Sequence, residues 1–358
     1  MNRDDYIEKL KSLFERYSII EAYKKKLIFW GTGAVAEAWW DDMNEAGLMP
    51  KYVVDSKKAG AKFKGYDIVS PEEIAGASDC AIVIMSTNPY LYQEITDQIK
   101  GMNLGVQHVF SCSALYYWFC RERIINLTKE LDDEDSMESL ISLMKARMEG
   151  KLLKDSDLNN KQYFPIYLFS RWDDREVYVD AGAFVGDTLE MFLFEKFGTF
   201  ESYYAFEPLR KNFEALKFRV ERLEREWGIE GKIVCVNQGL DKEIGEQKMS
   251  SLFPVGATIG TNEEKVGLEI IKTVSIDEYF EEKRISTIKA DIEGKEMDML
   301  MGAEKSIKKW KPKMAISIYH KPSDLYKIFE LIKSFDLDYK FAVRCHCASG
   351  GDTVLYAY

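Results

Sequence analysis

Residues 177–188, Val-Tyr-Val-Asp-Ala-Gly-Ala-Phe-Val-Gly-Asp-Thr, constrain the fold more than any other stretch of this chain. Three β-favouring residues lead into Asp180, Gly182 and Gly186 follow, and an amphipathic segment runs from Thr188 to Phe197. This is a strand, a tight glycine turn and a helix start, the unit that lets a backbone approach a nucleotide closely. Acids stand on both sides of the turn, Asp180 ending the strand and Asp187 following the glycine. Helix N-termini and glycine amides welcome phosphate, but carboxylates repel it, so the pattern suits a cationic ligand with an amino-acid portion. S-adenosylmethionine, with its sulfonium and ammonium, meets that description.

The chain beyond this turn extends the pattern. Tyr203–Phe206 reads as a second strand running into Glu207-Pro208. Glu207 falls where an acid at the end of the second strand accepts hydrogen bonds from ribose hydroxyls. Pro208 opens a helix over Arg210–Trp227. A third strand, Lys232–Val236, ends at Asn237 and Gln238, placed to face an adenine. A fourth, Thr287–Asp291, enters Ile292-Glu293-Gly294, and a fifth, Lys313–Ile318, ends in Tyr319-His320. Strands alternating with helical patterns predict a parallel α/β sheet, whose ligands sit beyond the carboxyl ends of the strands. Glu207, Asp291, Glu293, His320, Arg344 and His346 all fall at such ends.

Asp-x-Gly-Ala-x-x-Gly-Asp-Thr at 180–188, Phe206-Glu207-Pro208, Ile-Lys-x-Asp-Ile-Glu-Gly-x-Glu at 288–296, Leu-x-Gly-Ala at 300–303, Ala-Ile-Ser-x-Tyr-His at 315–320 and Asp-Thr-Val-Leu-Tyr-Ala at 352–357 occur in this order. Together they resemble the FkbM family of S-adenosylmethionine-dependent methyltransferases over roughly residues 160–358. The resemblance implies a class I methyltransferase sheet of seven strands, the last two (about 338–344 and 352–357) an antiparallel hairpin. It also implies O-methylation of a hydroxyl, on a sugar, glycan or polyketide-like small molecule, and so a place in polysaccharide biosynthesis. Set against the methyl donor are Asp180, Gly182, Ala183, Gly186, Asp187, Thr188, Glu207, Asn237, Gln238 and Asp291. Set against the acceptor are Tyr319, His320, Arg344 and His346. The chain departs from the family at Arg344-Cys345-His346-Cys347, where an arginine followed by one or two histidines is the pattern.

A second glycine turn lies upstream. Lys26–Trp30 reads as a strand, Gly31-Thr32-Gly33-Ala34-Val35-Ala36 as the turn and Glu37–Ala46 as a helix. The strand Lys51–Val54 follows, closed by Asp55, and strands near Cys80–Met85 and Val106–Phe110 continue an open α/β fold. Gly-x-Gly-x-x-Ala with an acid some twenty residues on is a dinucleotide fingerprint, with Asp55 as its ribose partner. The alternative is a turn that only packs helix on strand. His108, the one histidine here, lies on an apolar strand and reads as structural, so a hydride-transfer base is missing. Ser86-Thr87-Asn88-Pro89-Tyr90 is similar to the Asn-Pro-Pro-Tyr of amino-methylating enzymes but reads as a turn, with Asn88 the helix cap and Pro89 the first helical residue.

These signals divide the 358 residues into a Rossmann-like unit (1–112), a helical connector (113–157) and a methyltransferase domain (158–358). Residues 5–23 read as one helix, and Leu115-Tyr116-Tyr117-Trp118-Phe119 is too aromatic to stay exposed, docking on a domain or on a second subunit of a homo-oligomer. Asp132-Asp133-Glu134-Asp135 reads as a solvated turn and helix cap. Hydrophobic content of 46% and aromatic content of 13% exclude a disordered chain. A net charge of −11 argues against nucleic acid and anionic membrane as partners. No spanning run or signal core is read, and six scattered cysteines suit a reduced, cytoplasmic setting.

The chemistry needs a proton taken from an alcohol, by a base in line with the sulfonium or by a metal that acidifies the hydroxyl. Lys289, Asp291 and Glu293 alternate onto one strand face, so pairing with Lys289 would lower the pKa of Asp291 and blunt it as a base. His320 is the better candidate, as base or as positioner, with Asp291 and Glu293 beside it. No metal site is assigned, although Asp291, Glu293, His320 and His346 are the residues that would take Mg²⁺ or Mn²⁺. Glu293-Gly294 has a structural alternative, as a cap for a helix from Lys295. Phe253–Gly260 reads as a flap over the acceptor or as a plain hairpin. Two further readings stay open: an NAD-dependent sugar-modifying oxidoreductase using Gly31–Asp55, and a non-catalytic protein binding the methyl donor or a nucleotide.

Overall fold

The computed structural model describes residues 2–102, 104–250 and 268–358. It contains two compact units: Met1–Leu158 with Lys321–Tyr326 and Val343–Thr353, and Asn159–His320 with Lys327–Ala342 and Val354–Tyr358. The expected flap, Phe253–Gly260, lies outside the described residues.

The first unit is built on six strands, β1 (Leu27–Trp30), β2 (Pro50–Val54), β3 (Lys62–Phe63), β4 (Tyr66–Val69), β5 (Ala81–Ile84) and β6 (His108–Ser111). Their order is β3-β4-β2-β1-β5-β6, and every pair except β3–β4 is parallel. β1 and β5 are buried along their whole length, as unbroken apolar runs in a two-faced parallel sheet must be. The β3–β4 hairpin is absent from the sequence reading; its turn residues, Lys64 and Gly65, both have positive φ (51° and 89°). Residues 5–23 do not form one helix. An α-helix over Arg3–Glu15 gives way to a 3₁₀ turn at Ser18–Tyr23, where β-branched Ile19 and Ile20 weaken α-helical propensity.

Helices Cys112–Phe119, Arg121–Glu130 and Glu134–Glu149 follow. Tyr116, Tyr117 and Trp118 are buried within the first unit, so the aromatic run is core. Asp133 caps the third of these helices by accepting from Ser136 N at 2.7 Å, and left-handed Gly150 ends it. Asn88 caps the helix Pro89–Met102, its Oδ1 accepting from the amides of Tyr90 and Leu91.

The second sheet uses β7 (Val177–Ala181), β8 (Ser202–Phe206) and β9 (Ile233–Val236). A small three-stranded sheet intervenes, with β10 (Gly239–Leu240), β11 (Gly245–Ser250) and β12 (Leu268–Val274) in the order β10-β12-β11. The main sheet resumes with β13 (Thr287–Ala290), β14 (Lys313–Ser317), β15 (Phe341–Cys345) and β16 (Thr353–Ala357). Its order is β15-β16-β14-β13-β7-β8-β9, with β16 antiparallel to β14, which gives the expected seven strands and closing hairpin. The chain leaves β7 for β8 and β9 on one side and returns to β13 on the other. That reversal opens a crevice at the carboxyl ends of β7 and β13. Behind it Tyr178 and Tyr203 stack at 5.0 Å with Phe192 against both, fixing helix Asp187–Lys196 to the sheet. Among the described residues no helix is long and apolar enough to cross a membrane.

The crevice depends on Gly182, at φ 79°, where a Cβ would lie 2.0 Å from the carbonyl oxygen of Asp291. The Gly182→Ala variant should lose about 4 kcal/mol or fail to fold. Gly33, with φ −85° and nothing within 4 Å of a built Cβ, should accept alanine at a cost of no more than about 1 kcal/mol, the loss of a favoured N-cap residue. Thermal unfolding of the two variants checks this contrast.

Candidate active site

The glycine turn after β7 is pinned at several points. The amides of Gly182 and Ala183 both donate to Phe206 O, at 3.1 and 2.9 Å. The Lys289 ammonium, on neighbouring β13, donates to Gly182 O at 2.8 Å and pairs with Asp180 Oδ1 at 2.9 Å. Asp180 and Lys289 are buried, and Tyr203 donates its hydroxyl to the other Asp180 oxygen at 2.5 Å. Asp180 therefore holds the turn from below. Burial would lower the Lys289 pKa, but the Asp180 and Asp291 carboxylates outweigh it and raise it. Gly186, Asp187 and Thr188 lead into the helix, with Asp187 exposed in its first turn, where an acid complements the helix dipole.

Glu207 stands just past the end of β8 and is 5% exposed. Its carboxylate accepts from Phe184 N at 3.0 Å and Leu209 N at 2.9 Å, with Asn212 Nδ2 at 3.4 Å. Burial pushes its pKa up to about 7, against these donors and the pull of Lys289. Asn237 donates its amide to the carbonyls of Glu207 and Pro208, at 2.9 and 3.0 Å, so it clamps the acid's backbone. Gln238 is half-buried beside it.

On the other side of the turn lies an acidic ring around one imidazole. Asp291 follows β13, accepting from Tyr163 Oη at 2.8 Å on one oxygen and from Tyr319 Oη at 3.0 Å on the other. Burial would raise the Asp291 carboxyl, but Lys289, His320 and the two tyrosine hydroxyls hold it below the ordinary carboxylate range. The sequence expectation of a blunted base agrees with this direction, although the lysine's ion pair is with Asp180. Glu293 and Gly294 are both left-handed, at φ 57° and 90°. A non-glycine residue held there is locally strained, and the helix beyond starts at Glu296 with Lys295 at its N-cap, so Glu293 is not the cap.

His320 follows β14, and its side chain is 9% exposed. Nε2 lies 3.4 Å from both Asp291 Oδ1 and Glu293 Oε2, and Nδ1 lies 3.0 Å from Glu296 Oε1. Burial would lower its pKa; Glu296 above all, then Asp291 and Glu293, outweigh it and lift it to about 9. The surrounding carboxylates thus set this imidazole apart from an isolated one.

The structure brings Asp291, Glu293, Tyr319 and His320 together and sets the glycine turn and Glu207 beside one another. Arg344 is placed otherwise. Within the first unit it pairs with Asp133 at 3.0 Å and donates to Ser136, which commits its charge to the cap of helix Glu134–Glu149. His346 belongs to the same unit. Asp55 also has local work: it accepts from Thr32 Oγ1 at 2.7 Å, Thr32 N at 3.1 Å and Lys57 N at 2.9 Å. Two further residues stand in the site, and only Glu296 was given no role from the sequence. Glu296 is fully buried in the first turn of its helix, and its signal was its place as the closing acid of the quoted Asp-Ile-Glu-Gly-x-Glu run. Tyr163 carries a left-handed φ of 69° and lies in the aromatic stretch before β7.

Residues 180–341 match the family model for the methyltransferase FkbM domain. This segment is an FkbM methyltransferase domain. Residues 23–110 match a second model, the C2185-like N-terminal domain. The crystal structure of methyltransferase FkbM from Methylobacillus flagellatus KT has the same fold, with a TM-score of 0.56 at 22% identity over 99% of this chain and 98% of that one. Fibrillarin from Aeropyrum pernix, in complex with S-adenosyl-L-methionine, aligns at a TM-score of 0.34 and 15% identity over 55% of this chain and 71% of that one. No curated protein matches the chain.

In this methyltransferase domain the Asp180–Lys289 pair should govern stability. Lys289→Met strands a buried carboxylate and is expected to cost about 3–5 kcal/mol. Adding Asp180→Asn should recover a substantial part of that loss. Urea titrations of the single and double variants provide the measurement.

Proposed function

We propose that the chain transfers the methyl group of S-adenosylmethionine to a hydroxyl of a sugar, a glycan or a glycosylated small molecule. The observation that carries the reading is the pairing of a backbone cradle, left-handed at Gly182 and Gly186, with a buried carboxylate bonded to that cradle through Phe184 N. Glu207 accepts the donor's ribose hydroxyls, the glycine turn admits its methionine portion, and the acids Asp291 and Glu293 favour the sulfonium side. Transfer breaks the sulfur–methyl bond and forms an oxygen–methyl bond, and the hydroxyl proton passes to the carboxylates around His320. His320 orients the acceptor hydroxyl; Tyr319, held on Asp291, forms the wall beside it.

A carboxylate that accepts from two hydroxyls must be ionised, so donor binding releases the proton that Glu207 holds near pH 7. A group titrating there is about nine-tenths protonated at pH 6 and about nine-tenths ionised at pH 8. Affinity for S-adenosylhomocysteine should therefore rise about tenfold between those pH values. Calorimetry in two buffers checks both the affinity and the released proton, and Glu207→Ala should abolish binding. PH-independent binding would remove Glu207 from the ribose.

His320→Ala should keep donor affinity within about threefold and lower turnover by about 10²–10⁴. Turnover measured with the hydroxyl acceptors of a carbohydrate panel would decide this, and an unchanged rate would take His320 out of the reaction.

A further inference from the structure

The ring of acids around His320 closes on an imidazole that hydrogen-bonds to none of them. Three carboxylate oxygens approach the imidazole at 3.0–3.4 Å, yet neither ring nitrogen has a hydrogen-bond partner. The His320 side chain is more than nine-tenths buried, and Glu296 is fully buried with one oxygen, Oε2, also lacking a partner. Buried polar atoms normally find partners, and an orphaned one has a specific reason. Asp291, Glu296 and His320 each bring a ligand atom within 4.8 Å of the others.

The geometry points to a divalent-cation site with His320 Nε2, Asp291 Oδ1 and Glu293 Oε2 as its protein ligands. Neighbouring ligands set at right angles and about 2.1 Å from a common ion are about 3 Å apart. The two 3.4 Å separations from Nε2 come close to that spacing, and small side-chain movements would complete it. The remaining contacts suit the same role. Glu296 lies against the other ring nitrogen, as the carboxylate behind a metal-bound histidine does, where it fixes the ring's orientation. Tyr163 and Tyr319 hold the Asp291 carboxylate from both oxygens. The strained Glu293 backbone aims a third donor inward. One nitrogen and two carboxylates suit Mn²⁺ or a similar first-row ion better than Mg²⁺ or Ca²⁺, which favour oxygen alone. The inference deepens the methyl-transfer reading and rests on it for its purpose: an ion here would bind the acceptor hydroxyl and lower its pKa.

The test is a Mn²⁺ titration of the full chain after chelation and desalting, with free Mn²⁺ counted by electron paramagnetic resonance. One ion per chain is expected, with affinity reduced at least about tenfold in His320→Ala and in Glu296→Gln. Pulsed resonance on the wild-type protein should show coupling to one imidazole nitrogen, which needs no variant to fold. Calorimetry with S-adenosylhomocysteine runs in parallel. Donor binding without Mn²⁺ binding up to 1 mM, or a Mn²⁺ ion with no nitrogen coupling, would overturn the cation site and leave the methyl-transfer reading standing. Mn²⁺ binding with nitrogen coupling but no donor binding would support the cation site and overturn the reading of its purpose.

Discussion

The site depends on one ammonium group. Lys289 reaches from β13 beneath the neighbouring glycine turn, where it neutralises Asp180 and donates to the Gly182 carbonyl. Taking two charges out of water costs several kcal/mol per ion, and the return comes only with good geometry and further hydrogen bonds. Here Lys289 stands 2.9 Å from one Asp180 oxygen and Tyr203 donates to the other. The turn it supports places Phe184 N against Glu207. The position of Glu207 is thus tied, through the glycine turn, to a lysine on another strand.

The two ends of the central strands are electrically unlike. At the amino ends Glu176 is buried between Lys196 and Lys313, at 3.2 and 3.1 Å, and Thr287 donates to it. Burial would raise its pKa, and the two lysines outweigh that, so this end is compensated and serves packing. At the carboxyl ends Asp180, Glu207, Asp291, Glu293 and Glu296 gather about Lys289 and His320. An excess of acid in a crevice lined by low-dielectric protein attracts positive charge and discourages phosphate. Such a field favours a cationic ligand over a pyrophosphate.

Much of this was legible in the sequence, for local reasons. Asp180 to Thr188, Glu207-Pro208 and the helix ending at Gly228 announce themselves by glycine, proline and strand composition within a few residues. What was not legible depends on which strands become neighbours. Lys289 and Asp291 share a strand face and suggest a pair, but the sheet sets Lys289 opposite Asp180 in register, and the ion pair forms there. Arg344 stands at a strand end, as an acceptor ligand would, yet Asp133 is 3.0 Å away and takes its charge. The identity of His320 was readable, but its surroundings were not. Those are Glu296, Asp291 and Glu293 together, and spacing along a chain does not reveal three carboxylates closing on one ring.

The strand order carries a further consequence, for synthesis. β16, residues 353–357, lies between β14 and β15 and is buried throughout, although it is the last of the seven strands along the chain. Any nascent chain that ends before Thr353 leaves β14 and β15 without their common neighbour, roughly 10 Å apart and each with an unpaired edge. The six-stranded sheet of the first unit meets no such delay, because its strands are all made by Ser111. The first sheet can therefore form before the second, which waits for residues 353–357.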